Sequence, residues 1–475
     1  MRRTSRAVRV LAAAAITCAA TLALAPALAG PALAGPGSQG VGSCWQTMPG
    51  PAVPAGSSGS LAGVSMPGPA SGWAVGFTLP STPGADVHPL LARWDGRRWQ
   101  AARLPAGTTG AGRLDGITAL SASNAWAVGA AMTANHSPAP LILHWNGRRW
   151  AHVPAAPVPG NAATELLGVA AASPRDAWAV GQAENTADQL RSVTEHWNGR
   201  GWALVPSPSP GTGSRLAGVA VTGNHQAWAV GSSAARTSRP FVLHWTGHSW
   251  QRAATPRAAN VTLDSVAALS PAQVWAVGFA APGNRPYLPY ALHWNGHAWR
   301  SVPVPAGPAG DSRQLISVTA VGGGQLAAAG STLGPATTGA VDARWNGRRW
   351  SVAASPLNGT SLNAITTGDN ALWAVGAKGV SVSGGRFVPR VQACHPKTRT
   401  GSRWLQTLKA EVHGGSGRGE PGLGEEAVDE GGPVLDALEP VLDDRSELAG
   451  VGGGEVTQAV LHVRHAPSTA LRSGT

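Results

Sequence analysis

The side chains that carry most enzymatic chemistry are scarce in this chain. Between residues 36 and 394 there are three glutamates, nine aspartates and two tyrosines, Tyr287 and Tyr290. Glycoside hydrolysis needs two carboxyl groups that face each other across the substrate, and no spacing in the sequence pairs them. Ser-His-Asp spacing, a nucleophile elbow, a phosphate-binding loop and a zinc-ligand pattern are also missing from the sequence. The composition therefore favours binding over catalysis, although carboxylates from distant loops could still converge.

A repeat of about 50 residues must position the polar residues that are present. Each unit opens with Leu-x-(Gly/Ser/Ala)-(Val/Ile) and continues 11 or 12 residues later with Trp-Ala-Val-Gly or a relic of it. The first six units then reach Trp-(Asn/Asp/Thr)-Gly-x-x-Trp, and Ala327 replaces the tryptophan of the second element in the sixth unit. The units begin at Leu61, Leu114, Leu166, Leu216, Leu263, Leu315 and Leu362.

The second unit shows what one repeat contains. Its apolar runs predict four short strands, at residues 114–120, 125–129, 141–145 and 149–153. Asn146-Gly147 predicts a two-residue type I′ turn with positive φ at both residues, which would place Trp145 opposite Arg148. A four-stranded antiparallel meander that occurs seven times predicts an all-β fold, a seven-bladed β-propeller.

Tryptophan and histidine recur with the repeat, so we interpret both as packing residues. Of the 20 tryptophans, 18 hold the three repeat positions, where broad aromatic surfaces would fill the gaps between blades. We expect the Arg148 guanidinium over an indole face. Histidines at equivalent places in different blades would lie around the ring, so they cannot converge on one metal ion. The histidines are His144, His196, His244 and His293. We predict no metal and no cofactor.

Antiparallel alternation sorts the connections onto two faces. Turns after the first and third strands are short and uniform, whereas loops after the second and fourth strands are long and irregular. Variable loops on a rigid scaffold usually carry recognition, so we expect any binding site on the long-loop face and its central mouth. The candidates there are His136, Glu184, Asp188, Arg191, Tyr287 and Tyr290. Taken singly, a residue of this kind is more often a solvated loop residue than a ligand contact.

Two cysteines flank the repeats. Cys44 precedes the first unit and Cys394 follows the last, and the ends of a closed ring meet, so we predict a disulfide between them. Trp45-Gln46 resembles the start of a fourth strand, whereas residues 382–387 align with the Trp-Asn-Gly-x-x-Trp turn. Both compete for the outer strand of the last blade, and we predict that the N-terminal segment takes it.

The two ends of the chain differ from the array. Residues 1–35 have the arginine-rich start, short apolar core and small-residue cleavage sites of a signal peptide, and no later apolar run is long enough to span a membrane. Residues 36–60 hold the closing strand and residues 61–394 the propeller. Residues 395–475 are acidic, rich in glycine and without the repeat, so they are predicted to be disordered. That tail could also reflect a misplaced reading frame.

The net charge of +12 suggests a search for a basic surface. Seven arginines of the array recur beside glycine in the Trp-Asn-Gly-Arg-Arg-Trp turn or its variants, which would space them around the body. We therefore interpret them as solvated charges that protect strand edges. We expect no nucleic-acid or membrane partner, a secreted, extracellular location and a monomer.

The repeat resembles the kelch family and its galactose-oxidase-like members, and more closely the secreted bacterial propellers with WAVG and WNGxxW repeats. Trp126-Ala127-Val128-Gly129 and the segment 150–154 keep the kelch order, with one glycine where kelch units have two. The resemblance implies a propeller. A galactose-oxidase-like copper site would need a tyrosine–cysteine crosslink, a second tyrosine and two histidines, and a sialidase-like site would need an arginine cluster, a tyrosine and a glutamate. The placement of the tyrosines and cysteines fits neither site well.

The sequence thus predicts a secreted, non-catalytic β-propeller that binds an extracellular glycan or protein. The alternative is a hydrolase or lyase that acts on extracellular glycans. A structural spacer without a specific ligand is a third possibility.

Overall fold

The computed structural model describes residues 44–222, 225–234, 237–334, 338–353, 359–379 and 387–394. The predicted signal peptide and the predicted disordered tail lie outside the described residues. Within these ranges every regular element is a β-strand, and no helix of the length and apolarity needed to cross a membrane occurs there.

The first six repeat units contribute four strands each, whereas the seventh contributes three and the N-terminal segment supplies the fourth strand of its sheet. The strands of the first half are β1 (Trp45–Pro49), β2 (Ser57–Gly68), β3 (Ser71–Pro80), β4 (His88–Trp94), β5 (Trp99–Ala101), β6 (Gly112–Ser121), β7 (Asn124–Met132), β8 (Pro138–Trp145), β9 (Trp150–His152), β10 (Asn161–Ser173), β11 (Asp176–Asn185), β12 (Leu190–Trp197), β13 (Trp202–Leu204) and β14 (Gly213–Thr222). Those of the second half are β15 (Gln226–Ala234), β16 (Ser238–Trp245), β17 (Trp250–Arg252), β18 (Val261–Ser270), β19 (Gln273–Ala280), β20 (Leu288–Trp294), β21 (Trp299–Ser301), β22 (Ser312–Gly322), β23 (Gln325–Leu333), β24 (Thr338–Trp345), β25 (Trp350–Ala353), β26 (Thr360–Gly368), β27 (Ala371–Gly379) and β28 (Phe387–Cys394).

The strands form antiparallel four-stranded sheets of a β-propeller. Five sheets are separate, namely β2–β5, β6–β9, β18–β21, β22–β25 and β26-β27-β28-β1. The expectation of seven separate blades is wrong in one respect, because β10–β17 form a single eight-stranded sheet. Its halves meet where Leu190 of β12 pairs in parallel with Gly213 of β14, and the Leu190 N–H donates to the Thr212 carbonyl at 3.0 Å.

The first strands of the seven repeat units form the inner ring of the fold. Strand β2 contacts β6 on one side and β26 on the other, and the contacts continue through β10, β14, β18 and β22 to close the cycle. The second strand of each unit is buried on both faces, as for Trp126, Ala127 and Val128, because it lies between neighbouring sheets. The glycine that ends each Trp-Ala-Val-Gly motif is required by packing. A Cβ on Gly129 would collide with the Arg113 carbonyl oxygen.

The turn between the third and fourth strands differs from the predicted two-residue turn. Trp145 lies opposite Trp150, not Arg148, so the loop has four residues. Gly147 has a φ of 90°, whereas Asn146 is not among the residues with positive φ. Instead, the Asn146 Oδ1 accepts the backbone N–H groups of Arg148 and Arg149, both at 3.0 Å. This side-chain turn replaces the type I′ geometry because the asparagine satisfies the backbone donors itself.

Tryptophan clusters join neighbouring units. The second-strand tryptophan of one unit packs against the third- and fourth-strand tryptophans of the next. Trp228, for example, lies 5.0 Å from the Trp294 ring and 5.2 Å from the Trp299 ring, centroid to centroid. The same three-ring cluster is centred on Trp73, Trp126, Trp178, Trp275 and Trp373.

The seam between the sixth and seventh units is built differently, because Ala327 takes the tryptophan position. There Ala327, Trp45 and Cys394 share one cluster, and Cys44 and Cys394 form a disulfide with a Cα–Cα distance of 4.9 Å. The Trp45 Nε1 donates to Asp342 at 2.7 Å, and the Arg344 guanidinium lies over the same indole.

The N-terminal strand β1 forms the outer edge of the last sheet. It pairs antiparallel with β28, from Trp45 opposite Cys394 to Pro49 opposite Arg390. We expected residues 382–387 to align with the Trp-Asn-Gly-x-x-Trp turn, which follows the third strand of a unit. For Phe387 this expectation is wrong. That residue begins the third strand and pairs with Gly379, while residues 380–386 lie outside the described residues.

We predict that Trp228→Ala lowers the free energy of unfolding by about 4 kcal/mol, since it leaves a large cavity between two units. Denaturant unfolding would measure this loss. Leu204→Ala, at an exposed site, is the control and should change stability by less than about 0.5 kcal/mol. Equal effects of the two substitutions would contradict the proposed importance of the clusters.

We also predict that the double variant Cys44→Ser/Cys394→Ser is less stable than the oxidised protein by up to about 5 kcal/mol, because the disulfide closes a very long loop. Its denaturant midpoint should not respond to a reductant, whereas that of the wild type should fall. Coincident midpoints for the variant and the oxidised wild type would rule out this contribution.

Candidate functional site

The predicted loop residues lie in three different units. His136 is exposed in the connection between β7 and β8, and Asp188 is exposed in the connection between β11 and β12. Both have positive φ, of 56° and 58°, and their backbone N–H groups close turns onto Thr133 and Asn185. These contacts show how the two residues shape their loops, and they do not bring the two side chains together.

Glu184 and Arg191 flank the same connection as Asp188. Glu184 is half-buried near the end of β11 and pairs with Leu190. The Arg191 Nη2 donates to the Pro159 carbonyl at 2.7 Å, which ties β12 to the segment that enters the third unit. Arg191 therefore has a structural contact in addition to its exposed surface.

The two tyrosines belong to the fifth unit and have different surroundings. Tyr287 is exposed and its ring lies 5.2 Å from that of Phe279, while its carbonyl accepts the Arg313 N–H at 2.8 Å. Tyr290 is half-buried and packs against the hydrophobic cluster between the fourth and fifth units. Of this pair, Tyr287 presents the larger exposed surface.

A β-bulge near the start of every first strand forms a second candidate site, which the sequence analysis missed. The extra residue is the variable position of Leu-x-(Gly/Ser/Ala)-(Val/Ile), and a bulge redirects the side chain of the extra residue. The bulge lies between the beginning and the middle of the first strand. The beginning of this strand follows the loop from the preceding unit, so it is on the long-loop side. The seven residues are Ala62, Asp115, Leu167, Ala217, Asp264, Ile316 and Asn363.

Charged side chains at these bulges form a network between first strands. The Arg113 guanidinium donates to Asp115 at 2.9 Å and to Glu165 of β10 at 3.2 Å, and the Gln182 amide donates to the same Glu165 oxygen at 3.1 Å. Arg113 and Glu165 are only 1% and 2% exposed. Loss of one partner would leave a buried charge uncompensated, so the pair holds β6 and β10 together.

The network has a second ion pair in the next two units. Arg215 of β14 lies 3.7 Å from Asp264 of β18. Burial raises the pKa of Asp264 to about 6, against the opposing charge of Arg215, and burial likewise raises the pKa of Asp115 above its ordinary value, against Arg113. Each of these carboxyl groups has an arginine beside it.

The repeated histidines stack on tryptophans. Each lies opposite the second-strand tryptophan of its own unit, at ring distances from 4.1 Å for His144 and Trp126 to 4.5 Å for His196 and Trp178. Burial lowers the pKa of His144, His244 and His293. Among the described residues, no group of three or more histidine, cysteine, aspartate or glutamate side chains has a geometry that could hold a metal ion.

Glu195 is a buried carboxyl that belongs to neither candidate site. It occupies a third-strand position where Leu143, Leu243 and Leu292 stand in other units. Its side chain is 0% exposed and one oxygen accepts the Ala156 N–H at 3.0 Å. Burial raises its pKa to about 7. A carboxyl so enclosed cannot reach a substrate.

Comparisons with known proteins identify no family. No family model matches the chain, and no curated protein matches it. Among solved structures, it is similar to YCF48 bound to D1 peptide, with a TM-score of 0.47, 15% identity, and coverage of 78% of this chain and 99% of that one. It is also similar to the phage phi92 endosialidase, with a TM-score of 0.46, 9% identity, and coverage of 76% of this chain and 70% of that one. A third similar structure is a polysaccharide lyase PL25 ulvanlyase, with a TM-score of 0.43, 12% identity, and coverage of 70% of this chain and 93% of that one. The kelch-like likeness therefore stays a resemblance.

The raised pKa of Glu195 predicts a pH-dependent stability. Between its ordinary value of 4.5 and about 7, the unfolded chain releases the proton while the folded protein retains it. The free energy of unfolding should therefore fall by about 3 kcal/mol as the pH rises through this window, and then stay level. Glu195→Gln keeps the shape without the titration, so its pH profile should lack this fall. Parallel profiles for the two proteins would refute the assignment.

Proposed function

We propose that the chain is a secreted, seven-bladed β-propeller that binds an extracellular glycan or protein and catalyses no reaction. The count of seven rests on treating the eight-stranded sheet as two blades, since one parallel pair joins its halves and the first strands form a cycle of seven. Export rests on the leader-like residues 1–35, and the disulfide at the seam suits an oxidising compartment. We propose that the protein acts as a monomer.

The pairing of the inner carboxylates with arginines is the observation that carries the non-catalytic assignment. Asp115 and Glu165 share Arg113, and Asp264 lies beside Arg215. Glycoside hydrolysis needs one carboxyl group that donates a proton and a second that acts as a base or nucleophile. Carboxylates neutralised in this way stabilise the ring and leave recognition to the surrounding surfaces.

One observation favours the alternative, a hydrolase or lyase acting on glycans. Asp264 has a pKa of about 6, and carboxyl groups that titrate near neutrality are typical of general acids. Burial also raises the pKa of Asp115 in the second unit, and its Oδ2 has no hydrogen-bond partner in the described part of the chain. The two functions therefore make opposite predictions for the same aspartate.

We predict that the full chain binds at least one acidic or neutral extracellular glycan without degrading it. Co-sedimentation would measure binding, while reducing-end and unsaturated-uronate assays would detect cleavage. Asp264→Asn should leave binding unchanged, as should the control Asp86→Asn in an exposed loop. Cleavage that scales with protein concentration and disappears in Asp264→Asn but not in Asp86→Asn would overturn the binding function in favour of the enzyme.

A further inference from the structure

A cavity of about 890 Å³ opens between the outer strands of the first and second units. Its volume is within the range of ligand-binding sites. It lies beside the turns between the third and fourth strands, and its lining also includes residues 102–106 at the beginning of the loop from β5 to β6. The arginines that line it are Arg93, Arg103, Arg148 and Arg149, and all four are exposed.

A single carboxylate, Asp95, lines the same cavity, and it is already engaged. Its Oδ1 accepts the backbone N–H groups of Arg97 and Arg98, both at 2.9 Å, and its Oδ2 accepts the Gln100 amide at 2.6 Å. These bonds lower its pKa. Asp95 therefore stays ionised and offsets one charge, and the four arginines of the lining leave an excess of positive charge.

Arg93 lines the cavity at a repeat position that also holds an arginine, Arg344, in the sixth unit. Units two to five have histidine at this position, and each imidazole stacks on the tryptophan of its own unit. The Arg93 guanidinium instead lies 5.8 Å from the ring centroids of both Trp73 and Trp145, which belong to adjacent units. Two indoles thus hold a charged group at the junction of the units while it remains exposed to a ligand.

The turn of the second unit supplies two further arginines from a rigid backbone. Asn146 holds the N–H groups of Arg148 and Arg149. The sixth unit has the same turn, in which Asn346 holds Arg348 and Arg349, but that pair does not line this cavity. The fourth and fifth units have no arginine at these turn positions. The positive charge of the cavity therefore depends on which two units meet there as well as on the repeated turn.

The aromatic floor limits the class of ligand. Trp73, Trp145 and Trp150 are 2%, 7% and 6% exposed. Single-stranded nucleic acids bind on exposed aromatic faces that stack with bases, and these indoles are too covered to do so. Exposed guanidinium groups instead recognise carboxylates and sulfates by charge and paired hydrogen bonds. The surface therefore fits a polymer that carries several anionic groups.

We infer that this arginine groove binds an acidic extracellular polysaccharide, one that bears uronate or sulfate groups. The inference rests on the proposed binding function and names its ligand class and its surface. The interpretation of the turn arginines as solvated edge charges stays a prediction for the other units, whereas Arg148 and Arg149 line one cavity with Arg93 and Arg103. The structure also places Arg93, rather than Arg148, over an indole.

The test measures dissociation constants of the full chain for polygalacturonate, dextran sulfate, neutral dextran and single-stranded oligothymidylate. We expect tighter binding of the acidic polysaccharides, weakened by added salt. Arg148→Gln/Arg149→Gln should weaken that binding about tenfold or more, and Arg93→Gln should also weaken it. The matched control Arg348→Gln/Arg349→Gln removes the same charge from the same turn elsewhere and should change binding by less than about twofold. Thermal unfolding would verify that all variants are folded.

Equal losses of affinity in the two double variants would overturn the proposal that the groove is the binding site, because net charge alone would then explain binding. Unchanged binding in the Arg148/Arg149 variant would overturn it as well, while leaving the binding function intact. Tighter binding of oligothymidylate through the same arginines would replace the polysaccharide with a nucleic acid. Cleavage of a bound polysaccharide is the separate result that would refute the proposed function.

Discussion

The contact between tryptophans of successive units is the interaction on which the rest of the structure depends. A four-stranded sheet of short strands has two apolar faces and is not stable alone, so each unit must bury its faces against its neighbours. One tryptophan from the second strand meets two from the next unit at close, tilted or edge-on angles. These angles are the ones that aromatic rings prefer. The repeat is preserved because each copy completes a cluster with its neighbour.

The same constraint explains the seam. With Ala327 in the tryptophan position, the cluster between the last two units lacks its central ring. Trp45 holds the fourth-strand tryptophan position of the last sheet, and Cys394 stands opposite it where other units have their third-strand tryptophan. Trp45 is tied to Asp342 and covered by Arg344, and the disulfide joins the strand of Trp45 to β28. A covalent bond thus stands where aromatic packing is weakest, and it also fastens the two ends of the array.

Arginine has two distinct roles in this protein. On the inner strands Arg113 is almost completely buried, and the carboxylates around it compensate its charge. On the outer side, Arg93 and the turn arginines of the second unit remain exposed around a cavity with one engaged carboxylate. The buried arginine and its carboxylates depend on one another, because removal of either partner would leave an unpaired buried charge. The exposed arginines retain their charge for a partner, which is why we place recognition there.

Some features of the site were accessible from the sequence and others were not. The variable residue inside Leu-x-(Gly/Ser/Ala)-(Val/Ile) was a usable signal, since aspartate at positions 115 and 264 interrupts an otherwise apolar motif. The long-loop candidates, from His136 to Tyr290, were chosen for their irregularity, and irregularity alone does not bring side chains together. No local pattern distinguishes Arg148 from Arg348, because their turns are the same.

The sequence by itself determined the β-strand content, the propeller class, the packing role of the tryptophans and the pairing of Cys44 with Cys394. The first three follow from periodicity and from spacing within one unit, which are local properties, and the disulfide follows from the closure of the ring that they predict. The tertiary structure decided that Trp145 faces Trp150, that two units merge at Leu190 and Gly213, and that Arg93 meets Trp145 across a boundary. These depend on backbone hydrogen bonds in a turn, a bulge or an interface between units, where one residue of register changes which side chains become neighbours.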